Sequence, residues 1–274
     1  MFETKRYETT SYETTSYETI SYETHDDHVA TVTINRPEAM NSFNSQMVEE
    51  MAAVWELIKA DDQVHAVVIR AADGRAFSTG KDVKEEDSIW REGVVWSQWD
   101  PGKKLGPKQN EMWKPIICAI HGLCCGGAYY WLNESDIVIC SEDAEFFDPH
   151  VSFGMVSACE PIGLTRRIAY GEVMRMNLLG NDERMSSATA LRIGLVSEVM
   201  ESREALWARA RELAAKVASK PTLATQGTVK TVWQSLDSGL STALDRAMLY
   251  IQVNNLMDAQ VDRGTAKKSP HEVR

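Results

Sequence analysis

Long apolar runs are what this sequence most plainly lacks. No stretch approaches the ~20 consecutive apolar residues of a membrane-spanning helix, and the first residues have no apolar core of the signal-peptide kind. Positive charge is also short: 29 Lys and Arg stand against 40 Asp and Glu, a formal net charge of −11. A field of that sign repels polyanions, so nucleic acid and anionic membranes are not expected partners, and an anionic ligand must find local basic residues. The five cysteines, Cys118, Cys124, Cys125, Cys140 and Cys159, form no CxxC pair. Lying among apolar residues, they read as buried, reduced thiols of a cytosolic protein and not as a disulfide frame. Histidine offers no metal-ligand spacing: His25 and His28 flank a turn, His65 and His121 occur singly at strand ends, and His271 lies in the tail, so no metal is expected. The expectation is a soluble, cytoplasmic protein.

What is present is an ordinary globular composition, 43% hydrophobic and 25% charged over 274 residues, enough for one large layered domain with a helical appendage. The N-terminus carries a period-five repeat of Tyr-Glu-Thr beginning at Tyr7, Tyr12, Tyr17 and Tyr22. Odd spacing throws successive tyrosines to opposite faces of a strand, so residues 1–21 are expected to be an extended or disordered arm, with the last copy entering the first strand. From Val29 the pattern is regular. "VATVTINRP" reads as a strand ended by Arg-Pro. "NSQMVEEMAAVWELIKADD" reads as a helix with Met47, Met51, Val54, Trp55 and Ile58 on one stripe, and "VHAVVIRAA" as a strand buried on both faces. A second unit follows the Trp-containing excursion of residues 85–110: strand "PIICAIHG", a Gly-Gly turn, a helix over about 127–134 and strand "SDIVICS". A third starts at "EFFDPH". Such alternation implies parallel strands with crossover helices. Beyond about residue 200 only helical patterns remain, which predicts a core over 22–200 and a helical region over 201–274.

Two loops could carry chemistry. In "GRAFSTGKDVKE" a strand end turns through Ser78, Thr79 and Gly80, aiming backbone N–H groups outward. In "HGLCCGGAYYWLNESD" Gly126 and Gly127 join a buried strand to a helix start, where glycine allows close approach of a ligand and the helix end supplies free donors. Together with "TINRPEAMNSFN", "SDIVICSEDAEF" and "NDERMSSATALRIGLVSEV", these stretches make the chain from about Tyr22 to Val199 resemble the crotonase (enoyl-CoA hydratase/isomerase) superfamily. The resemblance implies an α/β fold, a spiral of ββα turns with a C-terminal helical region that builds homotrimers or dimers of trimers. It implies an acyl-CoA thioester as substrate, with coenzyme A entering as part of that substrate and no covalently bound cofactor. It implies an oxyanion hole at the amides of Lys81 and Gly127, and a coenzyme lying along Ala39 and Met40 with Arg75, Lys81 and Lys84 near its phosphates.

The chain departs from the family where hydratases carry two glutamates. Tyr130 stands three residues after Gly127, and His150 stands after Pro149, so neither carboxylate is present. A neutral imidazole is a competent base near neutral pH when something orients it. Asp148, two residues away along an expected strand, and Glu160, in the expected loop "SACEPIG", are the candidate acids. The reading is that His150 with either acid activates water or removes an α-proton while Tyr130 donates a hydrogen bond. Some relatives that hydrolyse carbon–carbon bonds in β-diketones are similar, using a histidine backed by an acid. Carbon–carbon hydrolysis or double-bond isomerisation is therefore expected over simple hydration. The competing reading is a CoA-thioester binder or oligomer partner without catalysis, with His150 a packed core residue; Cys159 as nucleophile ranks third. Trp90, Trp96, Trp99 and Trp113 read as packing residues or as walls of a wide acyl pocket, and Lys267 and Lys268 as possible stand-ins for the family's C-terminal ligand contact.

Overall fold

The computed structural model describes residues 4–6, 13–85, 100–257 and 272–273. Trp90, Trp96, Trp99, Lys267, Lys268 and His271 lie outside them. The strands are β1 (Thr4–Arg6), β2 (Glu13–Ser16), β3 (Ile20–Thr24), β4 (Val29–Ile34), β5 (Ala66–Ala71), β6 (Ala76–Ser78), β7 (Ile116–Ile120), β8 (Leu123–Cys125), β9 (Ile137–Ser141), β10 (Glu145–Phe147), β11 (Met185–Ser186) and β12 (Val199–Met200). The helices are α1 (Ser45–Ala60), α2 (Tyr129–Glu134), α3 (Cys159–Leu164), α4 (Tyr170–Leu179), α5 (Ser187–Arg192), α6 (Arg203–Ala218), α7 (Thr222–Ser235) and α8 (Leu240–Met257).

Two sheets run in the orders β1-β2-β3-β4-β5-β7-β9-β12 and β11-β10-β8-β6. Successive strands alternate between them: β5, β7 and β9 join the large sheet in parallel, while β6, β8 and β10 join the small one in parallel. Each pair followed by a crossover makes one turn of a spiral, as the family resemblance implied, and the parallel pairing is the one expected from the alternation. The apolar runs explain the order of the layers. All six residues of β4 and all five of β7 are buried, as strands covered on both faces require. Helix α1 covers one face with Met47, Val48, Met51, Val54, Trp55 and Ile58, and its start is capped by the Asn44 side chain accepting from Met47 N at 3.0 Å. The Trp55 indole donates to Leu105 O at 2.8 Å and thereby anchors the segment that carries Asp100.

Helix α6 covers the opposite face of β5 and β7 with Leu206, Ala210, Ala214 and Ala218, a stripe at intervals of four that lets helix and sheet approach closely. For that reason the first compact unit runs to Ser219, and the division lies there and not near residue 200. In the second unit α7 and α8 are joined by Tyr250 Oη donating to Gln234 Oε1 at 2.7 Å. Of the two forms expected for the N-terminal arm, its described residues take the extended one, and they join the sheet. Glu13–Ser16 pairs antiparallel with β3, and Thr4–Arg6 pairs with Glu13–Ser16. Thr-rich backbone adds itself to an open sheet edge through main-chain bonds and needs no apolar face. No helix among the described residues is long and apolar enough to cross a membrane.

Candidate active site

The small sheet brings the two glycine loops together. Parallel β6 and β8 end side by side, and from their ends run Thr79-Gly80-Lys81 and the 3-10 turn Gly126–Ala128 that opens α2. A methyl group built on Gly80, whose φ is +81°, would sit 2.7 Å from Gly127 N, so only glycine allows this approach. One built on Gly127 would sit 2.5 Å from Phe43 Cζ. Phe43 clamps the first loop: its N–H donates to Gly80 O at 2.9 Å and its carbonyl accepts from Asp82 N at 2.8 Å. In that parallel bridge the amide of Lys81 faces away from Phe43.

The acid–base groups stand beside this frame. Strand β10 stops at Phe147, and Asp148-Pro149-His150 turns out of the sheet, so Asp148 and His150 are related by a turn and not by strand alternation. Buried Asp148 accepts both the His150 main-chain N–H, at 3.0 Å, and the ring Nδ1–H, at 2.7 Å, through Oδ1. A carboxylate only accepts, so Nδ1 carries the proton and Nε2 is the ring's lone-pair nitrogen when the ring is neutral. The bond to Asp148 raises the His150 pKa above its ordinary 6.5, against the opposing effect of burial. The ring borders the glycine turn: a methyl on Gly126 would lie 3.7 Å from His150 Cε1.

Glu160 comes from the first turn of α3 and not from a loop, and its Oε1 lies 4.0 Å from His150 Nε2. Burial raises its pKa. Its main-chain carbonyl accepts from Asn133 Nδ2 of α2 at 3.0 Å, and Gly163 admits that asparagine, since a methyl there would fall 2.2 Å from Asn133 Nδ2. Asp148, His150 and Glu160 thus lie with ligand atoms within 4.8 Å of one another. This is a three-member grouping that no regular sequence spacing marks. With Nδ1 bonded to Asp148, the ring leaves Nε2 facing the buried carboxyl of Glu160, a pair that could share a proton or, with Asp148, hold a cation.

Tyr130 is half-buried, and its hydroxyl donates to Asp100 Oδ2 at 2.9 Å. Burial first, then Glu160 and Asp100, push its pKa far above the phenol range, so it stays a neutral hydroxyl whose one proton is given to Asp100 and not, as expected, held free for a reacting group. Gly102 makes room for the ring, since a methyl there would fall 2.3 Å from Tyr130 Cζ. Cys159 is exposed, unlike the other four cysteines, which are buried. Its position at the start of α3 takes it out of the core that its apolar neighbours suggested. Partial burial of the thiol group within this exposed residue, and the carboxylates of Asp100 and Glu160, raise its pKa, which disfavours the thiolate a nucleophile needs.

The residues expected along a coenzyme divide. Ala39 ends the 3-10 turn Pro37–Ala39 and Met40 caps it; the turn is tied to the start of β6, because the Asn41 side chain donates to Ala76 O at 2.8 Å, and Met40 and Asn41 are both left-handed. Arg36 joins this turn to the Lys81 loop through Asp82 at 3.0 Å. Arg75 and Lys84 are exposed and Lys81 is partly so. Asp100, Ser157 and Asn177, which the sequence reading passed over, also belong to the site. Ser157 Oγ lies 3.1 Å from Asp148 Oδ2 and 2.8 Å from Asn177 Oδ1.

Residues 24–266 match the family model described as enoyl-CoA hydratase/isomerase. The chain is 34% identical over 225 residues to the (E)-benzylidenesuccinyl-CoA hydratase of Thauera aromatica, covering 82% of this chain and 84% of that one. It is 32% identical over 231 residues to the short-chain-enoyl-CoA hydratase of Clostridium acetobutylicum, covering 81% and 82%. The crystal structure of an enoyl-CoA hydratase/isomerase from Mycobacterium paratuberculosis superimposes with a TM-score of 0.79 at 36% identity, covering 91% of this chain and 93% of that one. With the spiral of paired strands and a family model spanning most of its length, the chain belongs to the enoyl-CoA hydratase/isomerase family of the crotonase superfamily.

Proposed function

We propose that the protein is an acyl-CoA enzyme in which His150 is the base, and that it hydrolyses a carbon–carbon bond of a β-keto acyl-CoA thioester. The observation that carries this reading is the 2.7 Å bond that fixes His150 Nδ1 on Asp148 and turns Nε2 toward Glu160, 4.0 Å away. A water hydrogen-bonded to both groups fits that separation. His150 Nε2 takes a proton from it, and the resulting hydroxide adds to the 3-keto carbon. The C2–C3 bond then breaks, its electron pair passing to C2 and onto the thioester oxygen as an enolate. The His150 imidazolium returns its proton to C2, restoring the neutral base and completing one carboxylic acid and one shortened acyl-CoA from one water. The Lys81 and Gly127 amides are the proposed donors to the enolate oxygen, each worth ~2.7 to 4 kcal/mol of barrier. The coenzyme is proposed to lie along Ala39 and Met40, its phosphates near Arg75, Lys81 and Lys84, and the subunits to form a trimer or a pair of trimers.

Double-bond isomerisation is the second reading. It is favoured by Glu160, whose burial raises its pKa and equips it to carry a proton between two carbons. The test is product mass after incubation with β-keto acyl-CoA and enoyl-CoA thioesters. Cleavage into two fragments supports the hydrolase, a mass-neutral product the isomerase, and addition of water without cleavage a hydratase. Binding without conversion across the panel, or turnover undiminished in His150→Ala, would remove the histidine mechanism.

A further inference from the structure

Behind the His150–Asp148 pair lies a second layer of hydrogen bonds. The Asn177 amide is oriented by its own helix: Nδ2 donates to Val173 O at 2.8 Å, and a carbonyl can only accept, so Oδ1 is the atom turned to Ser157. Ser157 Oγ therefore faces two acceptors, Asn177 Oδ1 at 2.8 Å and Asp148 Oδ2 at 3.1 Å, with one hydroxyl proton between them. Asp148 is fully buried and Asn177 nearly so. Among the described hydrogen bonds that proton is the donor offered to Oδ2, while Oδ1 takes both bonds from His150.

We propose that Ser157 is a positioning residue: its single proton is shared between Asp148 and Asn177, and the share sets how strongly Asp148 holds and polarises His150. This rests on the reading of His150 as the base. When the hydroxyl points to Asp148 it spreads the carboxylate's charge and weakens the pull on the imidazolium. When it points to Asn177 the full charge faces the ring. A charged acceptor draws the proton more strongly than an amide, whereas Asn177 is nearer, so neither position dominates on geometry alone. As the ring gains a proton and partly neutralises Asp148, the advantage of the carboxylate falls and the hydroxyl swings toward Asn177, strengthening the ion pair as it forms. The charged and titratable groups around the pair are few. His150 faces Asp148 from its own turn and Glu160 from α3. Asp148 faces Cys125 at the end of β8 and Tyr129 of α2, both held neutral by burial.

The test is the titration of the His150 ring by NMR in the ligand-free protein with labelled histidine, assigned by the signal lost in His150→Gln. Ser157→Ala removes the donor and is expected to move the midpoint up by about half a unit. Asn177→Leu removes the competitor and is expected to move it down by a similar amount, and Ser157→Thr, which keeps the hydroxyl, to titrate as the parent does. Shifts of opposite sign support the shared proton. Unmoved midpoints, or shifts of one sign in both variants, overturn it. Should Ser157→Ala fail to fold, the downward shift of Asn177→Leu and the parental midpoint of Ser157→Thr decide the matter. The titration needs no substrate, so it stands apart from the catalytic reading: shifts as expected with undiminished turnover in His150→Ala would reject the base and keep the relay, and the reverse pattern would reject the relay and keep the base.

Discussion

Two parts of one site follow different rules. The frame of Gly80, Lys81, Gly126 and Gly127 is made of backbone, held by the Phe43 clamp and by the absence of side chains where β6 and β8 end. The corner beside it, Tyr130, His150 and Glu160, is made of side chains brought together from α2, the turn after β10 and the start of α3. A main-chain donor can be changed only by moving the chain, so a fold that keeps its turn keeps its donor. A side chain is free to change with each codon, provided the volume is filled and the buried charge has a partner. In our reading the frame sets the substrate class and the corner sets the reaction.

The substitutions that would separate the two run from large to small. His150→Ala should lower kcat by a factor of 10²–10⁴ while leaving thioester affinity close to the parent, since base catalysis acts on the reaction and not on binding; steady-state kinetics alongside equilibrium binding measures both. Gly127→Ala attacks the frame instead. Its methyl meets the Phe43 ring, so turnover should fall by roughly 10²–10³-fold for every thioester tried, together with a lowered melting temperature. Asp148→Asn removes the main cause that holds His150 above 6.5. A base works unprotonated, so the parent's rate should rise with pH through a midpoint above 6.5, and in the variant that acidic limb should move to lower pH. Stability should follow the opposite sense. A histidine whose pKa is raised on folding lends stability that is complete below 6.5 and is lost as pH climbs through the folded value; denaturant unfolding across that range checks the sign. Tyr130→Phe is the smallest: loss of the donor to Asp100 should change kcat by less than about tenfold and cost roughly 1–3 kcal/mol of stability.

Much of the frame was legible in the sequence because it depends on local chemistry. Continuous apolar runs mark β4, β5 and β7, a stripe at helical spacing marks α1, and glycine pairs mark the turns. The corner was legible only in part. His150, Asp148 and Glu160 could be named, but the sequence suggested strand neighbours and a loop where the chain makes a turn and a helix start. Asp100 reaches Tyr130 from thirty positions away through a segment anchored by Trp55, and Ser157 and Asn177 meet across two elements. No periodicity encodes such meetings. The tyrosine repeat has no common face, yet main-chain pairing at an open edge requires none. The boundary near residue 200 was set by a change from strand to helix patterns. What decides it is the alanine stripe that docks α6 on the sheet.

The most direct measurement is exchange of the C2 hydrogens of a saturated acyl-CoA in deuterated water, followed by mass, since in the proposed mechanism exchange requires both the amides of Lys81 and Gly127 at the enolate oxygen and His150 within reach of the α-carbon. Enzyme-dependent deuteration that is lost in His150→Ala while the thioester still binds is the predicted result. Deuteration at the parental rate in His150→Ala, or none with the parent protein under saturating thioester, would contradict it.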